Sequence, residues 1–145
     1  MPAIEFDEEP TAPQKKLARA RILVVEDDSK FRGLVSTRLD RDGYDVYTAA
    51  TADEALAMMR FVHQGWPTDN LELMIIDQHL PGGSGLEVLR QLRAEHDGTP
   101  ALLMTAFPDS SVLDEASKYG ASVLLKPFSL DFLCDVTIEA ILCAR

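Results

Sequence analysis

Five short apolar runs recur between residues 20 and 126, and a stretch of helical periodicity follows each of them. Arg21–Val25 (RILVV), residues 71–76 (LELMII), 101–104 (ALLM) and 122–125 (SVLL) read as strands, and residues 44–48 (YDVYT) alternate as a strand does. Between them lie Phe31, Leu34, Val35 and Leu39, then Ala55, Met58, Met59 and Val62, then Leu86, Leu89 and Leu92, then Val112, Leu113 and Ala116. Leu130, Leu133, Cys134, Ile138 and Ile141 close the series. Each set falls on one face of a helix. Gly43 and Gly120 are placed to stop helices, Ser129 to cap the last one, and Thr51 with Glu54 forms a capping-box signature. Nearly continuous apolar strands that alternate with helices need helices on both faces. The expected fold is therefore a doubly wound α/β domain with a five-stranded parallel sheet and five helices.

A chain of 145 residues can bury one substantial core. The first 19 residues, with Pro2, Pro10 and Pro13 among mixed charges, read as a flexible leader, leaving 20–145 as the domain. Residues 65–70 (GWPTDN) read as a loop. The net charge of −10 disfavours direct contact with nucleic acid. No apolar stretch approaches the ~18 residues of a membrane helix, and the acidic start lacks the layout of a secretory signal, so a cytoplasmic placement is expected. Cys134 and Cys143 stand nine positions apart on one expected helix, on opposite faces, and are expected to pack without bridging.

In open parallel sheets the working crevice lies beyond the carboxyl ends of the strands, where the strand order reverses. The first strand ends in Glu26-Asp27-Asp28, the third in Asp77, the fourth in Thr105-Ala106 and the fifth in Lys126-Pro127. Clustered carboxylates repel one another unless a cation joins them. Hard oxygen ligands with open positions suit Mg²⁺, and a carboxylate can act as a nucleophile toward phosphorus. Lys126 and Thr105 are suited to contact phosphoryl oxygens.

VVEDD, IIDQHLPGGSG, LMTA and LLKPF, in this order, resemble the response-regulator receiver domain of two-component signalling over residues 20–145. That resemblance implies a flavodoxin-like fold with strand order 2-1-3-4-5. It implies Asp77 as phosphoacceptor, Glu26 and Asp27 as the acid pair beside Mg²⁺, and a metal contact through the backbone carbonyl of His79. Thr105 becomes the switch hydroxyl and Lys126 the phosphate-contacting lysine, with a cis bond before Pro127. Asp27 with Asp28 is the alternative acid pair, since Asp28 otherwise opens the first helix. The implied partners are a sensor histidine kinase or a histidine phosphotransfer protein, and an unknown output protein; a homodimer stays open. Such a domain signals rather than acting as a metabolic enzyme, beyond its own phosphorylation and slow dephosphorylation. The last helix runs to the end of the sequence, so output is expected through protein contact or onward phosphotransfer, unless the chain is a piece of a longer protein.

The sequence departs from the family pattern at Val123, where an aromatic is common, and at Phe107 and His79, each two residues beyond a site residue. A haloacid-dehalogenase-type phosphatase would carry a second aspartate at position 79, where this chain has histidine. A flavin mononucleotide site would want a Ser/Thr/Gly-rich loop where Glu26-Asp27-Asp28 stand, and no Gly-rich loop ending in Lys-Ser/Thr occurs. The competing reading is a receiver-like docking module not regulated by phosphorylation.

Overall fold

The computed structural model describes residues 20–63 and 71–144. The leader 1–19, the side chain of Val62 and the loop 65–70 lie outside the described residues. The strands are β1 (Arg21–Val25), β2 (Asp45–Ala49), β3 (Leu73–Asp77), β4 (Ala101–Thr105) and β5 (Ala121–Leu125). The helices are α1 (Ser29–Arg41), α2 (Ala52–His63), α3 (Gly85–Ala94), α4 (Ser110–Lys118) and α5 (Leu130–Ala144). All four pairings within this five-stranded sheet are parallel, in the order β2-β1-β3-β4-β5. The chain therefore adds β2 on one side of β1 and β3 on the other, and the order reverses between β1 and β3.

Alternation along the three central strands sends side chains into two cores. Leu23, Val25, Met74, Ile76 and Leu103 pack under α2, α3 and α4. Ile22, Val24, Leu73, Ile75, Leu102 and Met104 pack under α1 and α5. The two-sided burial explains why β1, β3 and β4 read as unbroken apolar runs. Gly43 (φ 99°) and Gly120 (φ 71°) follow α1 and α4 in the left-handed region that side chains resist.

Some expected inward positions face outward. Leu34, Leu113 and Ile138 are exposed. Each lies at the margin of its apolar stripe, and periodicity alone cannot tell a stripe's edge from its centre. Cys134 is buried and its thiol is pushed up to about 11, by burial first and then by its contact with Asp42. Cys143 is exposed and does not pack. Among the described residues, no helix is long and apolar enough to cross a membrane.

Candidate functional site

Sheet and turns bring the four sequence-predicted strand ends to one edge. β1 hands on to Glu26, whose N–H donates to the Ala49 carbonyl at 3.0 Å, so pairing with β2 fixes the chain up to the acid. Glu26 is only 2% exposed, while Asp27 is exposed. Asp28 is drawn into the helix start: its Oδ1 accepts from the N–H groups of Lys30 at 3.0 Å and Phe31 at 3.2 Å, capping α1. Its own N–H donates to Glu26 Oε2 at 3.1 Å. The side chain of Arg32 closes the loop by donating to the Glu26 carbonyl at 2.7 Å and the Asp27 carbonyl at 3.4 Å.

Asp77 ends β3 and is 4% exposed. The turn after it is locked. Gln78 donates its N–H to the Met104 carbonyl at 2.8 Å, and its side-chain oxygen accepts from the Leu86 N–H at 3.0 Å. A short antiparallel bridge pairs His79 with Ser84 and Leu80 with Gly83, around Gly82 at φ 80°. Ser84 and Glu87 then form a full capping box on α3. Gly85 sits so close beneath Asp77 that an added Cβ would stand 2.6 Å from the Asp77 carbonyl oxygen. Only glycine permits that approach.

Ligand oxygens of Glu26, Asp27 and Asp77 all lie within 4.8 Å of one another. Lys126 reaches into this group, with Nζ 2.9 Å from Glu26 Oε1 and 3.1 Å from Asp77 Oδ1. Burial raises the Glu26 pKa above the usual carboxylate range, and repulsion from Asp77 adds to it, outweighing the lysine and the Asp28 N–H. Burial works against the Lys126 ammonium too, but its bonds to Glu26 and Asp77 more than offset that and raise its pKa. Three carboxylates share one ammonium, so the cluster retains excess negative charge.

Thr105 is fully buried, and its hydroxyl accepts from the Phe107 N–H at 3.1 Å. Val123, beside Leu103 in the β4–β5 pairing, is half-buried. The ring of His79 meets that of Phe107 edge to face, with centroids 6.2 Å apart. These rings join the loops that follow Asp77 and Thr105. The His79 ring is thus turned to an aromatic partner rather than to the acids, and the Lys126–Pro127 bond is cis.

Residues 22–137 match the model of the response regulator receiver domain. This chain belongs to that family. The receiver fold is equally plain in a solved relative, the receiver domain of the Francisella response regulator 1452. That structure superposes with a TM-score of 0.76 at 26% identity, over 88% of this chain and all of its own. Among curated relatives, the regulatory protein AtoC of Escherichia coli is 30% identical over 114 residues, 78% of this chain and 23% of AtoC. The sporulation initiation phosphotransferase F of Bacillus subtilis is 26% identical over 116 residues, 79% of this chain and 88% of that protein. This receiver spans less than half the length of several regulatory proteins it resembles.

Four residues that shape this receiver's site escaped the sequence reading as contributors. Phe31 is expected from the sequence only as an apolar position of its helix, and Arg32 has no expected role. Gln78 and Gly85 lie inside the IIDQHLPGGSG stretch, where the sequence alone assigns them no role. The one available signal was glycine at the first position of an expected helix, a poor helix former where the backbone must come close.

Proposed function

We propose that this receiver accepts a phosphoryl group on Asp77 from the phosphohistidine of a sensor kinase or a histidine phosphotransfer protein, and thereby changes the surface it offers to an output protein. One observation carries the reading: a three-acid cluster with two of its acids, Glu26 and Asp77, buried and an ammonium on Asp77, at the reversal of strand order where such sheets bind ligands. An ordinary structural site would not gather like charges out of water.

Three carboxylates with hard oxygens fit Mg²⁺, with Glu26, Asp27 and Asp77 as side-chain ligands and the His79 carbonyl as a further one. When bound, the cation supplies positive charge that neutralises the acids and the incoming phosphoryl oxygens. The Asp77 carboxylate oxygen attacks phosphorus in line with the leaving imidazole nitrogen. The new bond is P–O; the P–N bond breaks and the nitrogen keeps its electron pair. Lys126, already 3.1 Å from Asp77 Oδ1, exchanges its Glu26 contact for a phosphoryl oxygen. Thr105 gives up the Phe107 N–H to donate its own hydroxyl to the phosphoryl group. The working unit in this reading is residues 20–145 in the cytoplasm, and its chemistry is limited to its own phosphorylation and slow hydrolysis.

Incubation with acetyl phosphate and Mg²⁺ tests this. Incorporation that requires Mg²⁺ and is lost in Asp77→Asn supports it. No incorporation into a folded wild-type chain favours a docking module instead.

A further inference from the structure

Phe31 lies in the first turn of α1, and the Lys126 Nζ stands 5.0 Å from the centre of its ring. Phe128 meets the Phe31 ring edge to face, with centroids 5.7 Å apart at 62°, and so fixes its tilt. Asp28, Phe31, Lys126, Pro127 and Phe128 line a recess of about 220 Å³ beside the acid cluster. The same lysine contacts the aromatic ring on one side and Glu26 and Asp77 on another.

We propose that Phe31 is a positioning residue for Lys126, holding the ammonium over its ring face so that it stays aimed at Asp77 while its acidic partners change. This rests on the phosphoacceptor reading of Asp77. A lysine has a flexible stem of four carbons and three rotatable donors, so a single charge partner does not fix its position. During transfer the Glu26 contact is surrendered, and Asp77 becomes an acyl phosphate. The ring is the partner that neither event removes. It attracts the cation through its quadrupole and consumes no N–H donor, which leaves all three donors for oxygens. Packing of Phe31 against the α1/α5 core would require only an apolar side chain of similar size. Holding an ammonium requires an aromatic face.

The distinction is measured in the full chain with acetyl phosphate as donor. Phe31→Leu is expected to lower the saturating phosphorylation rate roughly 3- to 10-fold, the range of a partly desolvated cation–π contact. The half-saturating Mg²⁺ concentration is expected to stay within about twofold, because the ring offers no ligand atom to the three-acid cluster. Phe31→Tyr, which keeps the ring, is expected to retain the wild-type rate. Phe31→Met takes the place of Phe31→Leu should the latter lose cooperative unfolding. Equal losses in the Leu and Tyr variants, or no loss in Leu, would overturn the inference, while wild-type labelling that is lost in Asp77→Asn upholds Asp77. Absence of wild-type labelling would overturn the Asp77 reading and this inference with it.

Discussion

At the amino edge of the sheet, Arg93 and Asp97 bring charge into the protein and hand it to the backbone. Arg93 Nε donates to the Tyr119 carbonyl at 2.9 Å and Nη1 to the Asp97 carbonyl at 2.8 Å. Asp97 Oδ1 accepts from the N–H and hydroxyl of Thr99, at 2.8 and 2.6 Å. At the carboxyl edge, Glu26 and Asp77 are at least as buried, yet they face each other across one shared lysine. Burial lowers the Arg93 pKa, with Asp97 opposing it, whereas at Glu26 burial and a like charge act together. One edge uses buried charge to close turns. The other keeps it in conflict, a state that persists only because the surrounding fold over-determines it and that a cation would relieve.

The largest expected effect sits at the quiet edge. Asp97→Ala strips Thr99 of its acceptor and should cost about 1–3 kcal/mol in urea unfolding. Phosphorylation of the folded variant should be unaffected. A variant of undiminished stability would erase the contrast between the edges.

At the other edge, Asp27→Ala should weaken Mg²⁺ binding by about tenfold, since it removes one charged ligand of three. Asp28→Ala should cost about 1 kcal/mol of stability by uncapping α1, while leaving Mg²⁺ affinity nearly intact. Isothermal titration separates the two. Greater damage from Asp28→Ala would make Asp27 and Asp28 the acid pair.

A smaller effect is expected at the two rings. Phe107 is 73% exposed and lies against His79, so it contributes little to stability, within about 0.5 kcal/mol. Its apolar ring is expected to shield the path of water to a phosphoryl group on Asp77. With Val123 offering no ring to swing behind Thr105, a long phosphoryl lifetime is expected. Phe107→Asn should speed loss of the label severalfold. Unchanged decay would refute shielding, and slower decay in His79→Ala would assign the histidine to positioning water.

The pH dependence is the subtlest difference. The Glu26 pKa is raised, so its ionisation is less favourable in the metal-free fold than in the unfolded chain. It contributes stability that is complete below its unfolded pKa and is lost as pH rises through its folded pKa. In this window the metal-free protein should gain thermal stability on acidification, and Mg²⁺ affinity should fall as the proton competes for Glu26. Glu26→Gln should flatten both curves; persistence of the slopes would place the titration elsewhere.

The fold was legible because two-sided strands and helix punctuation are local signals. Gly43 and Gly120 stop helices as expected, and Thr51 accepts from the Glu54 N–H at 3.1 Å. Glu54 reaches back one residue further than the motif suggests, to the Ala50 N–H at 2.7 Å. Strand-end residues were legible for a different reason: a parallel sheet delivers every strand's carboxyl end to the same edge, so Glu26, Asp77, Thr105 and Lys126 could be grouped before any distance was known. Phe31 and Arg32 could not be grouped so. Their part depends on where an α1 side chain meets a lysine nearly a hundred residues on, or the carbonyls of the preceding loop, and periodicity carries no such information. Cys143 illustrates the converse: its helix was readable, its exposure was not.

The most direct measurement of the central claim is the location of the phosphoryl group itself. The chain is phosphorylated with acetyl phosphate and Mg²⁺, the acyl phosphate is reduced with borohydride, and the peptides are sequenced by mass spectrometry. Conversion of Asp77 to homoserine, absent without Mg²⁺ and absent in Asp77→Asn, is the predicted result. Modification at any other carboxylate, with Asp77 unchanged, would contradict the account.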